Sequence, residues 1–424
     1  MHVGGGHAPD IGSAACGSGA ASLWCGFHSS RGLMSATHPP YSPPAGGRDL
    51  RLDFMRGFVM LFVICVHLEY LSFISAFMWE RLGFFSSAEG FVGLSGVVLG
   101  MVYRQKLGKD GFRACALRIW HRALQLWRVN VFVIASILLL RALPWPDTFV
   151  LTHWQPATGG QGYDLFPPEG TVWWQLLKQT LLLQIGPHQF QVMGLYVLVI
   201  AGAPAVLWGL HRGYWQGVLF ASLSVYLLNL CFGLRLGPLK SEYAFPALSW
   251  QLLFYAGMVA GFHHRAVFGY LAGPAGRGFV MAATAGVFFF MLAALGNPGT
   301  AFWPWPLPWR YEPAFFQHVY DTWLAKERLA PLRLLNNLCF YVAFFALLSR
   351  QWERCNRLLG WLLVPIGQAS LYVFIWHVYI VLLVANTPLA ALHNPVLNTL
   401  VHAAAVLLLW SMVRTRFLFA WVPR

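Results

Sequence analysis

Charged side chains are scarce in this chain. They make up 10% of its 424 residues, whereas 58% of the residues are hydrophobic. Soluble domains carry about 25% charged residues, so this composition cannot cover a water-facing surface of the size required. The scarcity excludes a soluble enzyme, and the apolar content excludes a chain that is disordered throughout. A polytopic membrane protein remains.

Several motifs of soluble enzymes are also missing. The sequence has no Walker loop, no GxGxxG after a strand and no HExxH. The cysteines number seven, form no CxxC pair and lie mostly in apolar runs, which argues against a disulfide framework and a zinc site. Matched pairs of broken helices, which indicate inverted-repeat transporters, are not evident. We therefore predict no metal.

Long apolar runs recur at helical length, and strand-type alternation is absent. This pattern predicts an all-α polytopic membrane bundle rather than a β-barrel. We expect one transmembrane domain, 48–424, after a tail, 1–47, whose Gly, Ala, Ser and Pro content predicts disorder. About ten transmembrane helices are predicted, at roughly 57–77, 85–103, 125–143, 189–210, 214–234, 246–262, 278–296, 334–350, 366–384 and 396–413.

One short segment decides the predicted topology. Residues 172–185 are apolar but contain Gln175, Lys178 and Gln179, which favours an interfacial or re-entrant segment. Both termini then lie in the cytoplasm, with most of the 29 Lys and Arg residues on the inner side. If the segment spanned, every later loop would change sides. The spread of the positive charge over short loops argues against nucleic-acid binding.

The first predicted span carries the most informative pattern. Arg56 and His67 are eleven residues apart, which at about 100° per residue places them on one helix face, and Asp53 lies one turn earlier. A rise of about 1.5 Å per residue puts His67 roughly 16 Å above Arg56, near the middle of a core about 30 Å thick. Imidazole at that depth suits proton transfer. The alternatives are a structural histidine and an interfacial ion pair of Asp53 with Arg56.

Two later spans also carry polar side chains. Glu89 begins the second span on a stripe with Gly96 and Gly100, whose small size predicts close helix packing. At the outer surface the carboxylate would polarise a histidine, bind a hydroxylated substrate or simply stabilise the helix N-terminus. Ser370 and His377 are seven residues apart and share a face of the ninth span. They are a second candidate pair.

The connecting loops add two expectations. The loop after the second span contains Arg104, Lys106 and Arg113 and would concentrate phosphates. Two outer loops, 144–188 and 297–331, are dense in Trp and Pro, with a run from Trp303 to Trp309 in the second. Such loops form an interfacial belt or stack against a sugar or other large acceptor.

The stretch Arg-Asp-Leu-Arg-Leu-Asp-Phe-Met-Arg-Gly from Arg48 to Gly57, with Ser86–Gly96, resembles the OpgC family. These membrane proteins are linked to succinylation of osmoregulated periplasmic glucans. Residues 245–254 and 370–377 fit the same pattern, so the resemblance covers about 48–416. The Arg-x10-His spacing also resembles the broader acyltransferase-3 group. Its ten-span members pass acyl groups from a cytoplasmic donor to an extracytoplasmic acceptor.

The resemblance implies a set of site residues. Arg56 and His67 match the essential Arg and His of the acyltransferase-3 group. Glu89 carries over from the OpgC-like Ala-Glu-x-Phe-Val pattern, and His377 from the late Ser…Trp-His pattern. The sequence departs from the usual pattern at Met55 and in the absence of a polar residue beside the first histidine. These departures bear on the acceptor more than on the chemistry.

We therefore expect an integral membrane O-acyltransferase of the bacterial inner membrane. An acyl-CoA, succinyl-CoA in the resemblance, would bind at Arg56, Arg104, Lys106 and Arg113. His67 would take the proton of a glycan hydroxyl outside the cytoplasm or carry the acyl group itself. A proton-coupled transporter and a non-catalytic component of a glycan export system are the alternatives. The outer-loop cations that a succinyl carboxylate would need are Arg310, Lys326, Arg328 and Arg333.

Overall fold

A computed structural model of the chain describes residues 41, 48–78, 80–81, 83–154, 162–299, 309–388 and 394–423. The predicted tail lies outside these residues apart from Tyr41, and so does most of the Trp–Pro run, 303–308. The domain boundary and the role of that run stay predictions.

The described residues are almost entirely helical, as predicted. Two-residue strands, β1 (His153–Trp154) and β2 (Tyr163–Asp164), pair antiparallel in one loop. The α-helices are α1 (Leu50–His67), α2 (Ser87–Arg141), α3 (Phe149–Thr152), α4 (Trp173–Leu181), α5 (Val192–His211), α6 (Trp215–Phe232), α7 (Ser241–Ala244), α8 (Ala247–Phe262), α9 (His264–Ala272), α10 (Arg277–Leu295), α11 (Pro313–Val319), α12 (Pro331–Cys355), α13 (Trp361–Gln368), α14 (Ser370–Ala385) and α15 (Pro395–Arg414).

Within the described ranges, six helical stretches are long and apolar enough to cross a membrane, which makes the chain a helical membrane protein. They are Ser87–Arg141, His188–His211, Trp215–Phe232, Pro274–Leu295, Pro331–Gln368 and Pro395–Arg414. The apolar helices α8 and α14 are shorter, with 16 residues each. The 55-residue α2 contains two of the predicted spans, joined across Gly111 with φ 75°. The predicted number of ten is not confirmed.

Helix α1 starts and ends earlier than the predicted span 57–77. Asp49 caps its start, because the carboxylate accepts a hydrogen bond of 3.0 Å from the backbone N–H of Arg51. The helix ends at His67, which is therefore its last residue and not a mid-helix residue as predicted.

Two serines explain why the chain leaves the helix after His67 although the apolar run continues. The backbone N–H of Ser72 donates to Ser75 Oγ at 2.7 Å, and the N–H of Ser75 donates to Ser72 Oγ at 2.9 Å. These bonds satisfy backbone groups that a helix would otherwise have to pair. Glu69, two residues past the helix, has a left-handed backbone with φ 58°, which departs from the helical path.

Glycines bring the central helices into backbone contact. A Cβ on Gly96 of α2 would overlap the carbonyl of Phe254 in α8, and a Cβ on Gly261 of α8 would overlap that of Val97. This confirms the predicted close packing of the glycine stripe. Gly57 of α1 meets the backbone of α13 in the same way. The register of α1 against the α13–α14 pair depends on this approach.

Helix α4 has nine residues. Its length is about 14 Å, less than half of a hydrocarbon core of about 30 Å. It agrees with the prediction that segment 172–185 does not span.

We expect Gly261→Val to destabilise the protein, because the new side chain forces α8 away from α2. Overpacking of a closed contact costs about 1–3 kcal/mol. Thermal unfolding in detergent measures the effect. Gly278→Val is the matched control, since a Cβ there has no neighbour within 4 Å. Equal melting temperatures for the two variants would contradict the packing described.

Candidate active site

Helices α1 and α14 bring the two predicted polar faces together. Arg56 donates from Nη2 to Ser370 Oγ at 2.5 Å. Closer to the C-terminal ends of both helices, His67 Nδ1 lies 2.9 Å from His377 Nε2. The two rings stack with their centroids 5.1 Å apart. The same-face predictions for each pair therefore agree with the structure, which also shows that the two faces contact each other.

The hydrogen-bond partners of His67 and His377 indicate which ring nitrogen carries the proton in each neutral imidazole. His377 Nδ1 lies 2.5 Å from the carbonyl oxygen of Phe374, which can only accept, so this nitrogen carries the proton. In a neutral ring His377 Nε2 is then bare and accepts from His67 Nδ1–H. The remaining nitrogen of His67, Nε2, carries a lone pair. His377 is fully buried, and a buried imidazole favours the neutral form.

A third imidazole, that of His188, completes the cluster. Its ring lies perpendicular to that of His67 with centroids 6.0 Å apart, and its Nε2 lies 3.2 Å from Glu69 Oε1. Sequence reasoning missed this pair. Residue 69 of a continuing helix would point about 200° away from His67. The departure from the helical path at Glu69 instead brings its carboxylate to the cluster.

Glu89 lies apart from the imidazoles. Its carboxylate accepts a hydrogen bond of 2.5 Å from the backbone N–H of Ser86, which caps α2, and it pairs with Arg333 of α12. Both charged side chains are fully buried. Glu89 lines neither of the cavities described below, and its predicted role in orienting the imidazole or the acceptor stays a prediction. Its contacts are those of a group that holds α2 against α12.

The buried guanidinium of Arg333 binds a second carboxylate. Its Nη2 lies 2.6 Å from Glu80 Oε1, and Tyr320 donates to Glu80 Oε2 at 3.1 Å. Burial by itself raises the pKa of Glu80, but the charge and hydrogen bonds of Arg333 outweigh this and lower it. Arg333, an expected outer-loop contact for succinyl, is thus already paired.

His67 lines a cavity of about 310 Å³, which we name the His67 cavity. Apolar side chains, among them Phe91 and Phe374, form much of its wall. Its polar lining consists of His67, Glu80, Ser86, Ser87, His188, Gln189 and Lys326. Of the expected succinyl contacts, Lys326 is the one that lines this cavity. His377, Glu69 and Glu89 are not in the lining.

Arg56 lines a larger cavity of about 950 Å³, the Arg56 cavity. Its cationic lining consists of Arg48, Arg56, Arg118, Arg122 and Arg128. Arg104, Lys106 and Arg113 do not line it, and their expected contact with the donor stays a prediction. The guanidinium of Arg104 instead lies 4.7 Å from the ring centroid of Phe262. The loop after the second predicted span is basic as predicted. The arginines of α2 that line the cavity, Arg118, Arg122 and Arg128, all come after the break at Gly111.

Asp53 pairs with a different arginine than expected. Arg48 donates to its two carboxylate oxygens at 2.7 and 3.1 Å, and Gln368 Nε2 lies 3.4 Å away. Arg56 donates to Ser370 instead. Its Nε is buried and has no hydrogen-bond partner among the described residues. Arg56 therefore retains a donor beside the cavity.

A stack of two aromatic rings separates the cavities. Phe91 lines both, and its ring lies 5.5 Å from that of Phe374 at an interplanar angle of 21°. Arg56 and Ser370 lie on one side of the stack, and His67 and Lys326 lie on the other. Phe91 is the described residue that the linings of the two cavities share.

Three tryptophans of the predicted outer loops do not contribute to this centre. Trp145, Trp173 and Trp174 expose 68%, 72% and 51% of their surface and do not line the His67 cavity. Their exposure fits either an interfacial belt or an acceptor surface.

Apolar helices, a cluster of three imidazoles and two adjoining cavities with polar groups in their walls define a membrane protein with a candidate acid–base site. The family model described as OpgC protein matches residues 48–421. The chain therefore belongs to the OpgC family, which confirms the resemblance seen in the sequence. Neither a curated protein nor a solved structure matches the chain.

Removal of the buried guanidinium should destabilise the protein. Arg333→Gln leaves Glu80 and Glu89 without their cation, and loss of one partner of a buried pair costs about 3–5 kcal/mol. The melting temperature in detergent should fall sharply. Arg328→Gln, at an exposed position, should melt close to the unchanged protein. A small loss for Arg333→Gln would mean that the network contributes little.

The same network predicts a pH dependence. The lowered pKa of Glu80 means that its contribution to stability is present above the usual carboxyl value of 4.5 and is lost as the pH falls below it. Melting temperatures measured from neutral to acidic pH should fall less steeply for Glu80→Gln than for the unchanged protein. Parallel curves would show that Glu80 titrates alike in the folded and unfolded chains.

Proposed function

We propose that this protein is a membrane O-acyltransferase that moves an acyl group from an acyl-CoA in the cytoplasm to a hydroxyl of an extracytoplasmic glucan. One observation carries the proposal: the His67 imidazole, with a bare Nε2, faces a polar cavity that adjoins a cationic cavity of coenzyme size. The family assignment supports glucan as the acceptor class and succinyl as the acyl group.

The Arg56 cavity suits the donor. Its volume of about 950 Å³ lies at the upper end of ordinary ligand sites. Arg118, Arg122 and Arg128 offer guanidinium groups, which bind phosphate oxygens through paired hydrogen bonds. The positive-inside rule favours a cytoplasmic position for this cluster of cations and for both termini.

The smaller His67 cavity suits the acceptor hydroxyl and a short acyl chain. Ser86, Ser87 and Gln189 offer hydrogen bonds to sugar hydroxyls. Lys326 supplies the cation that the distal carboxylate of a succinyl group needs. A succinyl group is four carbons long, so its carboxylate remains near the reacting carbonyl.

Arg56 and His67 divide the chemistry between them. Arg56 would bind the donor on its own side of Phe91, because eleven residues of α1 separate it from the carbonyl that His67 would attack. Beyond the aromatic stack, His67 Nε2 would act on the acyl group or on the hydroxyl proton. In either role, His377 Nε2 accepts a hydrogen bond from His67 Nδ1–H and stabilises the positive ring.

We expect His67→Ala to reduce acyl transfer at least 100-fold, the scale of a positioned acid–base group. Purified protein with labelled succinyl-CoA and a glucan oligosaccharide measures it. The matched control is His402→Asn, because His402 is also buried but bonds to Ser72 and lines neither cavity. Transfer that survives in His67→Ala would refute the proposal.

The double variant Arg118→Ala/Arg122→Ala should raise the KM for succinyl-CoA at least tenfold. Each hydrogen bond to a charged group contributes about 1.5–3 kcal/mol. The KM for glucan should stay unchanged, and the difference should shrink at high salt because screening weakens the phosphate contacts. Arg104→Ala/Lys106→Ala removes two nearby cations outside the cavity lining. An equal rise in this control would place the donor elsewhere.

A further inference from the structure

A second imidazole faces the His67 cavity, and single-step transfer by His67 leaves it without a role. His188 lines this cavity with a side chain that is 15% exposed. Its Nδ1 is buried and has no hydrogen-bond partner among the described residues. An unpaired buried nitrogen is costly for stability alone.

The tautomer of His188 follows from its partner. Glu69 Oε1 lies 3.2 Å from His188 Nε2, and an ionised carboxylate can only accept, so Nε2 carries the proton. Nδ1 is then bare. Glu69 is not in the cavity lining and binds Nε2, so Nδ1 is the nitrogen of the lining residue His188 that has no partner among the described residues. A carboxylate on one imidazole nitrogen makes the other a stronger base.

His67 and His188 line the same cavity, and each ring has one nitrogen without a proton. Two such groups suit a reaction in two steps. His67 and His188 lie with ring centroids 6.0 Å apart and at 88° to each other, close enough to act on one small group from two directions. A direct transfer needs one base, whereas a transfer through an acyl-enzyme needs a carrier and a base. The partners also differ, since His67 is held by a neutral ring and His188 by a carboxylate.

On the basis of the proposed function, we propose that His67 carries the acyl group and that His188 is the general base for the acceptor hydroxyl. Glu69 is its positioning residue. The left-handed backbone at Glu69, with φ 58°, is a conformation that glutamate rarely adopts, and it turns the carboxylate back towards His188.

In the first step His67 Nε2 attacks the thioester carbonyl. The C–N bond forms, the C–S bond breaks, and the CoA thiolate leaves with the electron pair and takes a proton from solvent in the Arg56 cavity. The His67 ring is then a positively charged acylimidazole whose Nδ1–H still donates to His377.

In the second step the acceptor oxygen attacks the acyl carbon. The C–O bond forms, the C–N bond breaks, and the electron pair returns to His67 Nε2, which leaves that ring neutral. The hydroxyl proton moves to His188 Nδ1, and the Glu69 carboxylate stabilises the imidazolium. His188 then releases the proton to solvent on its side of the aromatic stack.

The test separates the two steps in purified full-length protein with succinyl-CoA labelled in its acyl carbons. His188→Ala should keep the first step and lose the second, so label accumulates on His67 while transfer to a glucan oligosaccharide falls about 100-fold or more. Free imidazole added to this variant should restore transfer, because it enters the space that the ring vacates. A purely structural role would give neither trapping nor rescue.

Two further variants sharpen the result. Glu69→Gln should slow the second step, with an unchanged KM for succinyl-CoA. His153→Ala is the matched control: His153 Nε2 also pairs with a carboxylate, Asp164 Oδ1 at 3.0 Å, but the pair does not line the His67 cavity. It should transfer like the unchanged protein. His188→Asn replaces His188→Ala in every assay if the alanine variant does not fold.

The outcomes distinguish this inference from the proposed function. Transfer at the normal rate in the His188 variant, or loss of transfer with no trapped label and no rescue by imidazole, overturns the role of His188. Label that never appears on His67, even in that variant, overturns the carrier. If the unchanged protein makes no glucan ester at all, the proposed function itself fails.

Discussion

The hydrogen bond between His67 Nδ1 and His377 Nε2 is the constraint on which the rest of the site depends. It defines a chain of donors that starts at His67 and ends at the carbonyl of Phe374. A distance of 2.9 Å between two helix side chains requires α1 and α14 to be held in a fixed register. Gly57 and Gly367 allow this, because each lies against the backbone of the facing helix. Helix packing therefore determines which nitrogen of His67 is taken by His377.

Much of this arrangement was predictable from the sequence, because helical periodicity is a property of the backbone. Eleven residues from Arg56 to His67, and seven from Ser370 to His377, return to the same face. The choice of partner was not predictable. Arg333 is 244 residues from Glu89, and no local pattern reports on such a contact. Charges in helices are paired by tertiary packing, which a single sequence does not display.

Helix ends were the weaker part of the prediction. The apolar run after His67 suggested a longer helix, but Ser72 and Ser75 satisfy each other's backbone groups and end it. That end brings the Glu69 carboxylate to His188, so an error in one boundary concealed this pair and with it the third imidazole of the cluster. A second helix break, at Gly111, was also not predicted. The basic segment looks uniform in the sequence, but its arginines that line the Arg56 cavity all follow this break.

The aromatic stack of Phe91 and Phe374 has a consequence for the cell as well as for the reaction. Two water-filled cavities that joined across a bilayer would form a leak for ions and dissipate the electrochemical gradient. Apolar rings offer a hydrated ion no hydrogen bonds in place of its water, and so they form a barrier to ions where the two cavities meet. The same two side chains can thus wall the site and insulate the membrane.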